Sequence, residues 1–377
     1  VRDDRPVVVA GAGIAGATVA AGLASRGVPV VVVDTQPNPG SAGAEVLAPG
    51  VHHVLAELGL TARAAAFPPA RVSVMDWGNG EPAWRQALAD DAHFPFGYHV
   101  DHDAFVALLL TRAQECGATV RRDTHVLGPI RDADGVVSGI EVRDGQGTRA
   151  LPAAFVVDAT GPARAVSSSL SEADPIGEPY RLDRSHEPPG HVPGEHHVRK
   201  LPDPGQWQCA VPRADGTSTA TLRPHRHVDV AAERWAAYRC PALVGAGWLS
   251  VGDAAGRQDP MFLDPATITL LAAQAAVPVV ADLAFGSAAQ DAPRIAANYH
   301  DCYTGVLDAA GEFARFCLDP ARQREGTERL AYGLSELVGT AGSGAVLSRT
   351  MRAVAGHTSL FDVHCPEGPL IASLQVR

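Results

Sequence analysis

Apolar residues fall along this chain in short, sharply bounded runs. Val7-Val8-Val9 is followed at once by Gly11-Ala12-Gly13-Ile14-Ala15-Gly16, then by an alanine-rich helical pattern that continues through Ala24 and stops near Gly27. A second run, Pro29 to Val33, ends at Asp34. Runs of this kind read as strands buried on both faces, and a helix between two of them reads as a unit with parallel strands. Farther on, Asp134-Gly135 and Asp144-Gly145 punctuate the alternating stretches Val136 to Val142 and Thr148 to Leu151, an antiparallel meander pattern. Phe155-Val156-Val157-Asp158 reads as another buried strand, ending in the small-residue turn Ala159-Thr160-Gly161. The last strong signal is Gly247 to Gly256, then Asp259-Pro260 and a helix from about Ala266 to Leu283.

Each glycine of the opening turn has its own task. Gly11 permits the tight turn, Gly13 lets a pyrophosphate approach the backbone, and Gly16 lets helix and strand pack closely. The helix start then offers unpaired N–H groups and a positive dipole to phosphate. Asp34 stands about 18 residues past Gly16, close to the roughly 20 expected of a ribose-binding carboxylate. Strand, turn, helix, strand and terminal acid in this register predict a dinucleotide site. The turn alone does not separate NAD from FAD.

Composition narrows the class. A chain of 377 residues with 46% hydrophobic and 19% charged residues reads as a globular protein of more than one lobe. No apolar run is read as membrane-spanning, and without a signal-peptide pattern the expected location is cytoplasmic. A net charge of −11 argues against a nucleic-acid partner, because phosphate binding needs a basic surface. Six cysteines without CxxC spacing read as thiols rather than a disulfide or zinc framework, and no metal site is expected.

The order of the GxGxxG turn, the Ala159-Thr160-Gly161 turn and Val251-Gly252-Asp253-Ala254-Ala255 before Asp259-Pro260 and a helix resembles the para-hydroxybenzoate-hydroxylase-type FAD superfamily. Smaller matches resemble its tryptophan-halogenase-like branch, including relatives that modify peptides: Gly43 to Pro49 with Leu58-Gly59-Leu60, Asp76-Trp77-Gly78, Gly97 to His102, and Gln206 to Cys209. The resemblance covers most of residues 5–285. It implies an α/β fold: a Rossmann-like FAD-binding domain of the glutathione-reductase-related type, an inserted mixed β-sheet substrate domain and a C-terminal helical segment. The expected FAD-binding parts are 1–70, 94–169 and 238–285. Substrate-domain parts are expected at 71–93 and 170–237, and a helical region at 286–377.

Cofactor contacts are expected from Gly11, Gly13, Ala15, Gly16, Asp34, Thr35, Ala44, His102, Val126, Ala159, Thr160, Gly161, Gly252, Asp253, Pro260, Pro265, Ala266 and Thr267. In the family the acid matching Asp253 binds the ribityl chain, and the following helix aims its positive end at the flavin ring. Two positions depart from the pattern. Pro265 replaces a glycine and has no N–H, although proline suits the first position of a helix, so Ala266 and Thr267 are the alternative donors. His102 replaces an arginine that helps hold the cofactor.

The resemblance implies a monooxygenase, with FAD supplying the oxygen chemistry and the protein supplying orientation and a dry pocket. Its reductant is NAD(P)H or a separate flavin reductase. A small-molecule or peptide- or carrier-borne aromatic substrate is expected beneath a sheet built from about Val72 to Trp84 and Tyr180 to Thr221, lined by Trp77, Trp84, Tyr98, Trp207 and Phe262. His99 and Asp264 are the acid–base candidates, against a satisfied core histidine and a helix cap. His186, His191, His196 and His197 are read as a mobile loop over the pocket in preference to a metal site.

Halogenation is disfavoured. The catalytic lysine of the halogenases has no counterpart before Lys200, and Phe262-Leu263-Asp264-Pro265 replaces their polar halide-binding run with a carboxylate. The same motifs also admit a dehydrogenase or reductase of this fold, and a non-catalytic binding protein that keeps it.

Overall fold

A computed structural model describes residues 4–35, 43–88, 94–188, 192–203, 205–213, 216–224, 233–262, 265–286 and 289–319, with 321, 351–352 and 354. Its central sheet has six strands in the order Val244–Gly245, Trp248–Ser250, Phe155–Asp158, Val7–Ala10, Val30–Val33 and Thr119–Arg121. All neighbours are parallel except the first pair. The apolar runs account for this. Val7–Ala10 and Phe155–Asp158 are buried at every position, as strands covered on both faces must be.

The first helix, Ile14–Ser25, packs against His102–Glu115 on one side and the long helix Pro265–Phe285 on the other. Small residues permit the second crossing. A Cβ placed on Gly22 would stand 2.5 Å from Val277 Cγ2, so the two helices approach more closely than any side chain there allows. Contrary to the sequence reading, Pro265–Phe285 has the length and composition to cross a membrane. In this fold it is a core helix. Ile268, Leu270, Ala272, Ala273, Ala276, Val277 and Val280 are fully buried in the main core.

An antiparallel meander (His125–Arg131, Val137–Asp144, Gly147–Pro152) covers part of the central sheet. The second large sheet has eight strands, ordered Gly256–Arg257, Glu233–Arg239, Asp174–Glu187, Gly216–Pro224, Trp207–Arg213, Glu195–Lys200, Val72–Asp76 and Trp84–Ala87. It is mixed, because Glu195–Lys200 runs parallel to Val72–Asp76 while its other pairs are antiparallel. A three-stranded sheet of Ala44–Leu47, Gly97–Asp101 and Pro69–Ala70 lies beside it.

The helix Ala292–Leu318 closes the molecule. Tyr299, Cys302, Tyr303, Val306, Ala310, Phe313 and Cys317 recur at helical spacing and are all buried. Cys302 is disulfide-bonded, which corrects the reading of all six cysteines as thiols. The remainder of the expected helical region lies almost wholly outside the described residues.

Candidate functional site

The opening turn is built by backbone contacts that exclude side chains. Gly11 has a φ of +98°, and a Cβ on it would stand 2.2 Å from the Ala159 carbonyl oxygen. A Cβ on Gly16 would stand 2.0 Å from the Gly11 carbonyl oxygen. These two glycines therefore serve packing. Gly13 differs: its backbone is extended, and nothing lies within 4 Å of the position a Cβ would take. The space it leaves belongs to a cavity, and the first N–H groups of the helix beyond it have no intrahelical acceptor. Asp34 accepts the Ala12 N–H at 3.3 Å, and burial raises its pKa.

A buried carboxylate organises the second turn. Asp158 accepts hydrogen bonds from the Thr160 N–H (3.1 Å) and hydroxyl (2.6 Å) and from the Val166 (3.2 Å) and Ser167 (2.7 Å) N–H groups. It thereby presents Ala159 and Gly161 to the cavity. Three tyrosine hydroxyls fix the third turn. Tyr299 donates to the Ser250 carbonyl at 2.7 Å, and Tyr303 accepts the Gly252 N–H at 3.1 Å. Tyr238, from the eight-stranded sheet, donates to the Asp253 carbonyl at 2.5 Å. Three separate contacts thus hold the backbone that carries Asp253.

The cavity between these turns and the eight-stranded sheet has a volume of about 620 Å³, within the ~300–1,000 Å³ span of ligand sites. Gly13, Ala15, Ala44, His102, Ala159, Gly161, Gly252, Asp253, Pro260, Pro265 and Ala266 all line it. Cross-strand register explains its opposite wall. Trp207, Leu222 and Leu182 form one row across the sheet, of which Leu182 reaches the cavity. The next row on the same face is Val198, Cys209, Ala220 and Arg184, and beyond it Val211 pairs with Ser218 next to His196. The wall runs from apolar through small to polar.

Thr35 is exposed and Val126 packs on the meander's core; neither lines the cavity. Thr267 is buried and accepts the Ala48 N–H at 2.8 Å, so Ala266 is the one of the two alternative donors that faces the cavity. Asp264 lies outside the described residues, as does His191.

The aromatic residues expected to line the pocket do not line this cavity. Trp77 packs edge-to-face on Trp84 (5.8 Å) and Trp207 (5.6 Å), and Phe262 packs on Trp207 (5.3 Å) and Phe313 (6.1 Å). They fill the seam between the sheet and the closing helix. Tyr98 points into another cluster, beside His52 and Phe96. His99 is also behind the wall, with neither ring nitrogen hydrogen-bonded, and burial pushes its pKa down to about 4. A base with that pKa is unprotonated at neutral pH but a weak proton acceptor.

The expected histidine loop is largely strand. His186 lies in Asp174–Glu187, and His196 and His197 in Glu195–Lys200, with His196 buried in the cavity wall. Other wall groups carry no sequence signal of their own. Arg257 stacks 3.4 Å from the Trp235 ring centroid and stands 3.2 Å from Asp253. Glu45 lies 3.4 Å from His102. Burial works against a charged His102, but the hydrogen bond and charge of Glu45 and the charge of Asp103 outweigh it and raise its pKa. Asp259 accepts the Met261 N–H at 2.8 Å, and burial lifts its pKa to about 7. Among the described residues no cluster has the makings of a metal site.

The residues present fit FAD: an open Gly13 at a helix start for phosphate, the Asp253 carboxylate in the same cavity for ribityl hydroxyls, and a cavity of matching size, while Asp34 does not line the cavity and holds the Ala12 N–H. Residues 4–180 match the FAD binding domain family. No curated protein matches the chain in sequence. Among solved structures, the myxobacterial chondrochloren halogenase CndH superposes with a TM-score of 0.72 at 20% identity, covering 96% of each chain. A flavin-dependent brominase gives 0.75 at 18% identity, over 99% of this chain and 98% of that one. The p-nitrophenol 4-monooxygenase PnpA from Pseudomonas putida DLL-E4 gives 0.73 at 16% identity, over 95% and 98%. At such identities these likenesses establish the fold.

Proposed function

We propose an FAD-dependent monooxygenase acting on an aromatic group, free or borne on a peptide or carrier, for a chain whose residues 4–180 match the FAD binding domain family and whose fold resembles flavin-dependent halogenases and a p-nitrophenol 4-monooxygenase. Bound, reduced FAD would supply the activation of O2 for transfer of one oxygen atom to an electron-rich carbon. The observation that carries the reading is one continuous cavity. It joins the phosphate turn at Gly13 and the Asp253 turn to a sheet wall of Leu182, Val198, Cys209 and Ala220. Leu182, Val198, Cys209 and Ala220 give that wall an apolar stretch against which an aromatic ring would pack.

Each part of the chain has a definable task in this scheme. Gly13 and the helix start at Ile14 would hold the pyrophosphate, Asp253 the ribityl hydroxyls, and Pro260, Pro265 and Ala266 would border the flavin ring. The three tyrosines keep the Asp253 backbone in place against both flavin and substrate sheet. Leu182, Val198 and Ala220 would exclude water from the oxygen-transfer zone, where stray water diverts the reaction. NAD(P)H or a separate flavin reductase would supply the electrons.

Two features favour oxygen over halide transfer. Lys200, the chain's one lysine, ends its strand with its carbonyl 3.3 Å from the Cβ position of Gly78, and it is not part of the cavity wall. Phe262, in the segment where halogenases place a halide, is turned into the aromatic seam. The test is a product assay with reduced FAD, O2, bromide and a panel of phenols, indoles and aromatic peptides. Hydroxylated products are expected, and a brominated product would overturn the reading.

A further inference from the structure

Oxygen transfer as proposed leaves two buried histidines unused, and they stand together at the polar end of the cavity wall. His196 comes from the eight-stranded sheet and His99 from the three-stranded one. Their rings meet edge to face with centroids 5.8 Å apart. Their exposures are 3% and 2%. Neither nitrogen of His99 has a hydrogen-bond partner, and neither does Nδ1 of His196. Buried imidazoles are normally paired, because each neutral ring carries a donor and an acceptor whose desolvation must be offset. Only the His196 ring lines the cavity, so a ligand there would meet His196, with His99 packed behind it.

The surroundings define the ligand's chemistry. Burial lowers the pKa of both rings, to about 4 for His99 and about 3 for His196, where His99 and His197 add their repulsion. At neutral pH both are uncharged. Such a ring does not draw in a carboxylate and is a poor proton acceptor for catalysis. What it does well is donate to, or accept from, an uncharged polar group. Nδ1 is the sealed nitrogen, which leaves Nε2 of His196 to meet the ligand. The guanidinium groups of this wall are Arg184, in the neighbouring row beside Ala220, and Arg257, on the Asp253 side.

We infer that His196, backed by His99, is a neutral hydrogen-bonding subsite that takes an uncharged amide-type group of the substrate and so sets how the ring lies on the wall. The inference rests on reading this sheet face as the substrate wall. It gives His196 a specificity-determining role and makes His99 a positioning residue, in place of the acid–base role read from the sequence.

The test is calorimetric titration of the FAD-loaded protein with benzamide and with benzoate, which share a shape and differ in charge. Benzamide is expected to bind. His196→Ala should weaken benzamide about tenfold, the scale of one buried hydrogen bond, and leave benzoate unchanged. His196→Gln, which keeps a donor and an acceptor, should restore most of the loss. Equal weakening of both probes, failure of the glutamine variant to rescue, or no benzamide binding by the parent protein would each overturn the inference. If His196→Ala does not fold, histidine ring NMR of the parent protein decides. Benzamide should shift the His196 ring signals and benzoate should not; the reverse refutes the subsite. No turnover is involved, so failure here and failure of the monooxygenase reading are separately visible.

Discussion

Alanine placed at Gly13 and at Gly16, three residues apart in one turn, should give opposite phenotypes. At Gly16 the new methyl would stand 2.0 Å from the Gly11 carbonyl oxygen and 3.1 Å from the Ala159 Cβ. Both neighbours belong to the turns that bind strand to helix, and neither is the end of a flexible side chain. Overpacking against fixed backbone costs about 3 kcal/mol or more, so Gly16→Ala should lower the melting temperature of the FAD-free protein by about 5 °C. At Gly13 the methyl meets nothing within 4 Å, and the backbone there suits any L residue. Gly13→Ala should therefore leave the FAD-free melting temperature within about 1 °C of the parent. Its methyl instead occupies the space where a phosphate must touch the backbone, and FAD should bind about tenfold or more weakly, a loss of ~1.4 kcal/mol. Thermal unfolding without FAD and fluorescence titration with FAD read the two effects separately. If Gly13→Ala destabilises the FAD-free protein as Gly16→Ala does, or binds FAD as well as the parent, the assignment of the phosphate to this turn is wrong.

Tyr303→Phe removes the acceptor of the buried Gly252 N–H, which costs about 1–3 kcal/mol; FAD affinity should fall about tenfold with the overall fold kept, as fluorescence titration and circular dichroism would show. Asp158→Asn puts an amide in place of one oxygen among four donor groups, so unfolding by urea should show a loss of about 2–3 kcal/mol. Asp259, held protonated up to about pH 7 in the fold but ionised above about pH 4 when unfolded, loses stability as pH rises between those values. Asp259→Asn removes that slope, and its melting temperature should gain on the parent's from about pH 5 to pH 7 and then run parallel to it.

The cofactor half of the site was legible in the sequence because its determinants are local. A glycine at Gly11 or Gly16 reports a backbone demand set by residues a few places away, and Asp34 and Asp253 sit at strand ends that apolar runs make visible. The substrate wall was less legible because it is a matter of facing. Trp77, Trp207 and Phe262 have the composition of a pocket, but strand register and the closing helix turn them into a seam. His196 was hidden by the prolines and glycines around it, which suggested a loop where the strand Glu195–Lys200 forms. Tyr299 and Tyr303 act on residues some fifty places earlier in the chain, and no local pattern reports such a contact. Asp158 does carry a local signal: a carboxylate closing a fully buried strand needs donors close by, and the turn after it provides them.

The central claim is oxygen transfer at the cavity that begins at Gly13, and isotopic oxygen tests it most directly. FAD-loaded protein is reduced, exposed to labelled O2 in unlabelled water with an aromatic substrate that it turns over, and the product is weighed by mass spectrometry. One labelled oxygen atom in the product is the predicted result. An oxidised product without label, or oxygen drawn from water, would contradict it and leave a dehydrogenase on the same fold.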